Sequence, residues 1–385
     1  MKGGPPIPPP VTLPVLLRIS LQNSPLGVPL IMSAITLLLP LPTLLNGTTV
    51  FADGLGQVRN YRIPAIVQTP SSLVAFAEAR DGGDSSASRI AVRSSADGGV
   101  SWSDVVFAAG TNVSKGPAAC ESVNITACRV GNPAVVYDTI TKEVVLTFVI
   151  RGFDAGEDAL GNGMVTSADG GLTWSTPRNV SAGFGVAAGS MPGPGTALQL
   201  VSGSTAGRLL VASHHGAYER DYVSISDDHG LSWRTINQSF PAMDEAALTQ
   251  LPNGSVLLNM RHRASPSKGR AIALSQDGGD SFGPITFDPA LVSPVCQASI
   301  VSFGGATYFS NPASTSGRNH LTIRKSIDDA ATWSEALLVE AGNSAGYSCL
   351  VNGELQGNAD AAGFGGILYE ATDGTIKFSR FPLAF

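Results

Sequence analysis

A few charged residues stand in apolar surroundings where a charge needs a reason. Arg62 opens a strand in Tyr61-Arg62-Ile63-Pro64, Arg261 follows Val256–Met260, and Arg318 follows Phe309–Pro312 across a short loop. Arg80 and Asp84 come after the apolar run Leu73–Ala79, Glu245 precedes Arg261 by 16 residues, and Tyr347 lies in Ala345-Gly346-Tyr347-Ser348-Cys349. Guanidinium forks suit carboxylates and phosphates. Carboxylates and phenols can move protons or attack electrophiles. Singly, each position has a plainer reading, because an arginine on a strand is usually solvated or paired with an acid. Other signals are weaker. The five histidines (His214, His215, His229, His262, His320) show no HExxH or comparable metal spacing, and they are expected in loops or at the surface. Gly193-Pro194-Gly195 lacks the third glycine of a dinucleotide fingerprint. Asp154–Asp158 resembles a calcium loop only briefly. No metal or cofactor is expected.

The elements that must position these residues announce themselves as a repeat. The pattern Ser-x-Asp-x-Gly-x-Ser/Thr-Trp occurs at Ser95–Trp102, Ser167–Trp174 and Ser226–Trp233. A copy at Ser275–Phe282 ends in Phe, and a copy at Ser326–Trp333 has Ala330 where the others have Gly. Its aspartates are 72, 59, 49 and 51 residues apart. Each copy reads as a turn. The Asp accepts from backbone N–H groups, the Gly supplies positive φ, and the aromatic packs back on the sheet. These aspartates are therefore expected to stabilise hairpins and not to catalyse. Alternating apolar strands precede the boxes, as at Ala87–Ser94 and Arg270–Ser275. A period near 50 residues suits a four-stranded propeller blade. The 337 residues from 49 to 385 then make six blades at roughly 50 to 55 residues each. The strand after Thr49 is expected to pair with the C-terminal strands and close the ring. The expected fold is an all-β, six-bladed β-propeller of four-stranded antiparallel blades.

Composition agrees. Of the 385 residues 43% are hydrophobic and 14% charged, with 44 Gly and 25 Pro, which suits short strands and tight turns and excludes a disordered chain or a helical bundle. A net charge of -6 leaves no overall basic field for nucleic acid. Residues 1–48 differ from the rest, with ten prolines and two charges, Lys2 and Arg18. Leu26–Leu45 carries no charge, although Pro29, Pro40 and Pro42 weaken it as a helix. This leader is expected to be a signal peptide or signal anchor. The rival reading is a start at Met32. As an anchor it would leave the remainder in a lumen or outside. Six Asn-x-Ser/Thr sequons, at Asn46, Asn112, Asn124, Asn179, Asn237 and Asn253, lean the same way. Cys120 and Cys128 suit a local bridge, while Cys296 and Cys349 could pair or be buried thiols.

Taken together, the YRIP segment, the repeated boxes and the three arginines in this order resemble the sialidase (neuraminidase) family, from about Thr48 to Phe385. Phe76–Arg80, Pro192–Gly195, Glu219–Asp221, Phe287–Pro289, Phe309–Pro312 and Ala345–Leu350 look closest to lysosomal-type animal sialidases and related bacterial enzymes. The resemblance implies an exo-α-sialidase acting on sialylated glycans in a lysosomal, extracellular or lumen-facing place. It implies that Arg62, Arg261 and Arg318 clamp the substrate carboxylate and that Glu370 braces Arg62. Arg80 resembles an additional contact on that side. It makes Tyr347 the nucleophile, a tyrosine exception among glycosidases, activated by Glu245. Asp84 matches the loop acid/base. The loop is shorter than its lysosomal-type counterpart, and Asp81 stays a rival. A covalent tyrosyl intermediate implies retention of configuration. Asn132-Pro133, Gly193–Gly195, Tyr218 and Glu219 are candidates for reading the sugar substituents. A trans-sialidase would use the same intermediate. A glycan-binding propeller would not need the Tyr347/Glu245 pair.

Overall fold

The computed structural model describes residues 47–84, 86–109, 128–152, 159–186, 189–263, 268–334, 336–344, 346–353 and 363–385. Residues 1–46 of the leader, Asp154–Asp158, Cys120 and the sequons at Asn46, Asn112 and Asn124 lie outside them. The described residues form six antiparallel blades. Blade 1 is Asn60–Gln68, Leu73–Arg80, Ser88–Ser95 and Val106–Ala109. Blade 2 is Cys128–Asp138, Glu143–Gly152, Ala159–Ser167 and Arg178–Asn179, with Gly195–Thr196 added in parallel to its inner strand. Blade 3 is Met191–Pro192, Leu209–His215, Arg220–Ser226 and Arg234–Thr235, with Leu198–Gln199 and Phe240–Pro241 as short additions. Blade 4 is Met243–Gln250, Val256–His262, Arg270–Ser275 and Thr286–Asp288. Blade 5 is Ser299–Phe303, Ala306–Pro312, Leu321–Ser326 and Leu337–Glu340. Blade 6 joins Ser348–Asn352, Phe364–Glu370 and Ile376–Pro382 to Thr48–Phe51.

The last pairing explains why five boxes accompany six blades. Every box turns the chain from the third strand of a blade to the fourth. In blade 6 those two strands are Ile376–Pro382 and Thr48–Phe51, which are 325 residues apart at their nearest and need no turn. Box geometry is uniform. In the first, Ser95 donates to Asp97 Oδ1 at 2.8 Å, Gly99 N donates to Ser95 Oγ at 2.7 Å, and Ser101 N donates to Asp97 Oδ1 at 2.9 Å. Burial pushes the Asp97 carboxyl up, but the Ser101 and Ser95 hydrogen bonds outweigh it and hold the value at about 2. Ala330 meets the same demand as the glycines by adopting φ 64°. Box aromatics pack edge-on or tilted against Phe rings, Trp102 on Phe378, Trp174 on Phe76, Trp233 on Phe184, Phe282 on Phe240 and Trp333 on Phe309. All but Phe309 belong to the preceding blade or the segment leaving it, so the boxes fasten blade to blade.

Antiparallel pairing fixes which ends coincide. The start of a first strand, the end of a second and the start of a third share one edge of the ring. The boxes occupy the opposite edge. Three first strands are bulged near that first edge, between Arg62 and Ala65, Gly131 and Ala134, and Asp244 and Ala246. A bulge breaks the in-out alternation and re-aims one side chain. Cys296 and Cys349 are buried free thiols, and Cys128 is disulfide-bonded. Asn179, Asn237 and Asn253 are exposed. Among the described residues no helix is long and apolar enough to cross a membrane.

Candidate active site

Every expected site residue falls on the edge away from the boxes. Arg62 and Glu245 open first strands, Arg80, Arg261 and Glu370 close second strands, and Asp84, Arg318 and Tyr347 stand in the adjoining loops. Arg62 is aimed by its bulge. Ile63 takes φ 59°, a left-handed conformation that costs a β-branched residue about 1–2 kcal/mol. Glu370 compensates, since its Oε1 accepts from Ile63 N at 3.0 Å and from Arg62 Nε at 2.6 Å. A hydrogen bond to a charged group contributes roughly 1.5–3 kcal/mol. Glu370 Oε2 also accepts from Tyr347 N at 3.0 Å, and Glu370 N donates to Tyr347 O at 3.0 Å. One buried carboxylate thus ties the Arg62 bulge to the segment bearing Tyr347.

Tyr347 is 7% exposed and packs its ring on Ile63 and Cys296. Its hydroxyl donates a short hydrogen bond to Glu245 Oε1. Arg261 Nη1 donates to Glu245 Oε2 and, at 3.3 Å, to the Tyr347 hydroxyl. The Arg62 and Arg318 guanidinium carbons lie 5.7 and 5.5 Å from the Tyr347 ring centre. The three arginines therefore form a cationic cup around one phenol. Burial would raise the Glu245 carboxyl, but Arg261, then His214 and the Tyr347 hydroxyl, hold it below its ordinary value. Burial and the Glu245 charge push the Tyr347 phenol well above its ordinary value, against Arg261. The pair therefore rests as carboxylate and phenol, with the proton on Tyr347. Gly346 has φ 88°, and a Cβ there would lie 3.0 Å from Arg318 Cβ and 3.1 Å from Cys296 Sγ. Burial raises the Cys296 thiol to about 12, so it packs and does not react.

Asp84 is exposed and bonds Arg80 Nη1, with Arg62 Nη1 at 3.9 Å. Burial pushes its carboxyl up, but Arg80, then Arg62 and Arg151, outweigh it and hold the carboxyl down. In this arrangement it is a carboxylate, and giving a proton requires it to leave Arg80. Asp81 is also exposed, and its backbone N donates to Ala87 O at 3.0 Å. Among the described residues no ion pair joins Asp81 to the arginines, whereas Asp84 meets two of them.

Some residues escaped the sequence reading. Glu78 is fully buried. Its Oε2 accepts from Arg80 Nε at 2.7 Å and its Oε1 from Asn132 N at 2.6 Å. The signal was available, because period-two alternation puts Glu78 and Arg80 on one face of Leu73–Arg80. Arg129 donates to Asp84 O at 2.8 Å from the inner strand of blade 2. Asn132 is buried and donates to Pro192 O at 3.2 Å, and a Cβ on Gly193 would lie 2.0 Å from Ala246 O. These two candidates serve packing between blades. Tyr218 lies against Arg261, 5.2 Å from ring centre to guanidinium carbon. The expectation for the histidines fails for two of them. His214 and His262 are strand residues 5% and 6% exposed. A strand-end His reads as surface in sequence, but here the strand ends converge on the ring centre.

Fold and site together define a six-bladed propeller presenting a guanidinium cup around a tyrosine–glutamate pair. The profile of the BNR repeat-like domain matches residues 71–356, and the chain belongs to that family. Its relatives include a sialidase of Micromonospora viridifaciens, 34% identical over 358 residues, spanning 85% of this chain and 52% of that protein. Mouse Sialidase-4 is 31% identical, over 63% of this chain and 54% of its own. Among solved structures, Hadza microbial sialidase Hz136 superposes with a TM-score of 0.74 at 26% identity, covering 88% of this chain and 68% of its own. The chain spans about half the length of the curated bacterial sialidases it matches.

Proposed function

We propose that this protein is a retaining exo-α-sialidase whose propeller, residues 49–385, carries the whole catalytic site. The observation that carries the reading is the Tyr347 hydroxyl, donated to an ionised Glu245 within reach of three arginines. A sialoside bears a carboxylate on its anomeric carbon. Arg62, Arg261 and Arg318 would hold that group and leave the carbon over Tyr347. A carboxylate nucleophile would be repelled there, whereas a neutral phenol is not. As the glycosidic bond breaks, Tyr347 Oη bonds to the anomeric carbon and its proton passes to Glu245. Since the phenol rests protonated, that transfer accompanies bond making. Asp84 would give its proton to the leaving oxygen and then take one from the water that cleaves the glycosyl–tyrosine bond, while Glu245 returns its proton to Tyr347 Oη. The substrate class is a terminal α-linked sialic acid on a glycoprotein, glycolipid or oligosaccharide. The exposed sequons and the leader support a secretory route to a lumen or the exterior, with the leader as signal peptide or anchor.

The test is release of 4-methylumbelliferone from its α-sialoside. Wild type should turn over between about pH 4 and pH 7, and Tyr347→Phe should lose about 10²-fold or more of kcat. Folded wild type with no turnover, or Tyr347→Phe with full activity, refutes the reading. Proton NMR of the first product should show the α-anomer. Sialyllactose as the main product with added lactose would move the assignment to a transferase.

A further inference from the structure

Behind Glu245 lies a set of buried polar groups that the reaction above does not use. His214 ends the second strand of blade 3, and Asp221 faces it directly across the ladder on the third strand. Asp221 is fully buried, and neither of its carboxyl oxygens meets a hydrogen-bond partner among the described residues. The same holds for His214 Nδ1. His214 Nε2 stands 3.2 Å from Asp244 Oδ1, and that oxygen accepts from Glu245 N at 2.9 Å. Asp244 also flanks the blade 4 bulge. The path from His214 through Asp244 to Glu245, the proton acceptor for Tyr347, is therefore short and continuous, with Asp221 facing its far end.

The charges around His214 come from every element packed on it. Asp221 lies on the neighbouring strand, Tyr218 in the turn between them, Asp244 and Glu245 on the inner strand of blade 4, and Arg261 and Arg270 on the strands behind. The short strand Met191–Pro192, paired on the other side, adds no titratable group. Burial, with Asp244 and Glu245, pushes the Asp221 carboxyl well above its ordinary value, against Arg270. Asp221 therefore keeps a proton at pH values where exposed carboxylates have lost theirs. Facing residues in a ladder hold their Cβ atoms about 5 Å apart. The Asp221 carboxyl can meet His214 Nδ1 directly, which would satisfy two of the three orphaned atoms, or through one water, which can also reach the third.

We propose that His214 is a positioning residue for Glu245, orienting it through Asp244 and placing positive charge behind it when both ring nitrogens are protonated, with Nδ1–H donating to the neutral Asp221 carboxyl. The inference rests on the sialidase reading for its kinetic arm and on geometry alone for its spectroscopic arm. A charged His214 favours the Glu245 carboxylate and keeps the proton acceptor available in acid. His214→Gln retains a donor for Asp244 but cannot charge. It should move the acid limb of the kcat/KM profile upward by about half a pH unit or more while the protein stays folded. A merely structural role would lower kcat or Tm without moving the limb. In a [13Cε1]-histidine sample, the signal absent from His214→Gln identifies His214. Its titration midpoint should fall in Asp244→Asn, which removes a negative partner of the imidazolium, and should shift in Asp221→Asn, which removes the carboxyl facing Nδ1. An unmoved acid limb in active His214→Gln, or a His214 midpoint unchanged in both Asn variants, overturns the proposal. Inactive wild type refutes the sialidase reading instead, and the NMR titration still decides the His214 relay.

Discussion

Glu370→Gln isolates the brace that joins two blades beneath the site. Glu370 accepts three hydrogen bonds, two at Oε1 from Arg62 Nε and Ile63 N, and one at Oε2 from Tyr347 N. An amide offers only one oxygen. If that oxygen faces Arg62 and Ile63, the new NH₂ meets the Tyr347 N–H, donor against donor. The reverse orientation sets it against Arg62 and Ile63. Glu370 is 3% exposed, so water does not repair the mismatch. An orphaned buried donor costs roughly 1–3 kcal/mol. Breaking a fully buried ion pair costs about 3–5 kcal/mol, but the Arg62 side chain is 24% exposed and some of that loss is screened. The two losses overlap at one site, and about 3 kcal/mol in total is expected. For a single domain of this size that is about 4 °C in Tm by differential scanning fluorimetry. Freeing Arg62 should also raise KM for an aryl α-sialoside about tenfold or more, with a smaller change in kcat. A Tm within about 1 °C of wild type, together with unchanged KM, would show that Glu370 braces neither Arg62 nor Tyr347.

Asp84→Asn should cut turnover of substrates with poor leaving groups far more than that of an aryl sialoside, while Asp81→Asn leaves both near wild type; the reverse pattern transfers the acid role to Asp81. Gly346→Ala should lower kcat and stability together, because it combines φ 88° with contacts to Arg318 Cβ and Cys296 Sγ near 3 Å; activity and Tm equal to wild type would show that this backbone yields freely. Gly279→Ala places a Cβ 2.3 Å from Leu210 Cδ2 at φ 91° and should cost about 2–4 kcal/mol with KM unchanged, as read by denaturant melts and kinetics. The box carboxyls are depressed in the folded state, Asp97 and Asp328 to about 2, so they favour folding at pH values above the ordinary carboxylate range. That contribution should fade as pH falls from about 4 to about 2, and melts that stay flat across this window would count against the boxes as acid-sensitive fasteners.

Much of this molecule could be read from its residues, and the reason differs between fold and site. The boxes are local devices. Each hydrogen bond accepted by the Asp97 carboxylate spans four residues or fewer, so the motif states its own structure. Ring closure by Thr48–Phe51 followed from counting blades, and the pairing with Ile376–Pro382 matches it. The bulges were hidden, because Ile63 and Asn132 gain positive φ from tertiary partners such as Glu370 and Glu78. The arginines, Glu245 and Tyr347 were found through resemblance, and the structure brings them into one cup. Composition alone gave no means of pairing residues 102 apart, such as Glu245 and Tyr347. Glu78 and His214 were missed because each resembles an ordinary strand residue until the opposing blade is in place.

The split sixth blade has a consequence for how the protein comes into being. Arg62 is made early, and its brace Glu370 comes 308 residues later. Tyr347 and Glu370 stand in the blade that only Ile376–Pro382, paired with Thr48–Phe51, can complete. A nascent chain therefore carries Arg62 through 308 further residues before the partner that aims it is made. Closing the ring and completing the candidate site are one event, which waits on the synthesis of Ile376–Pro382.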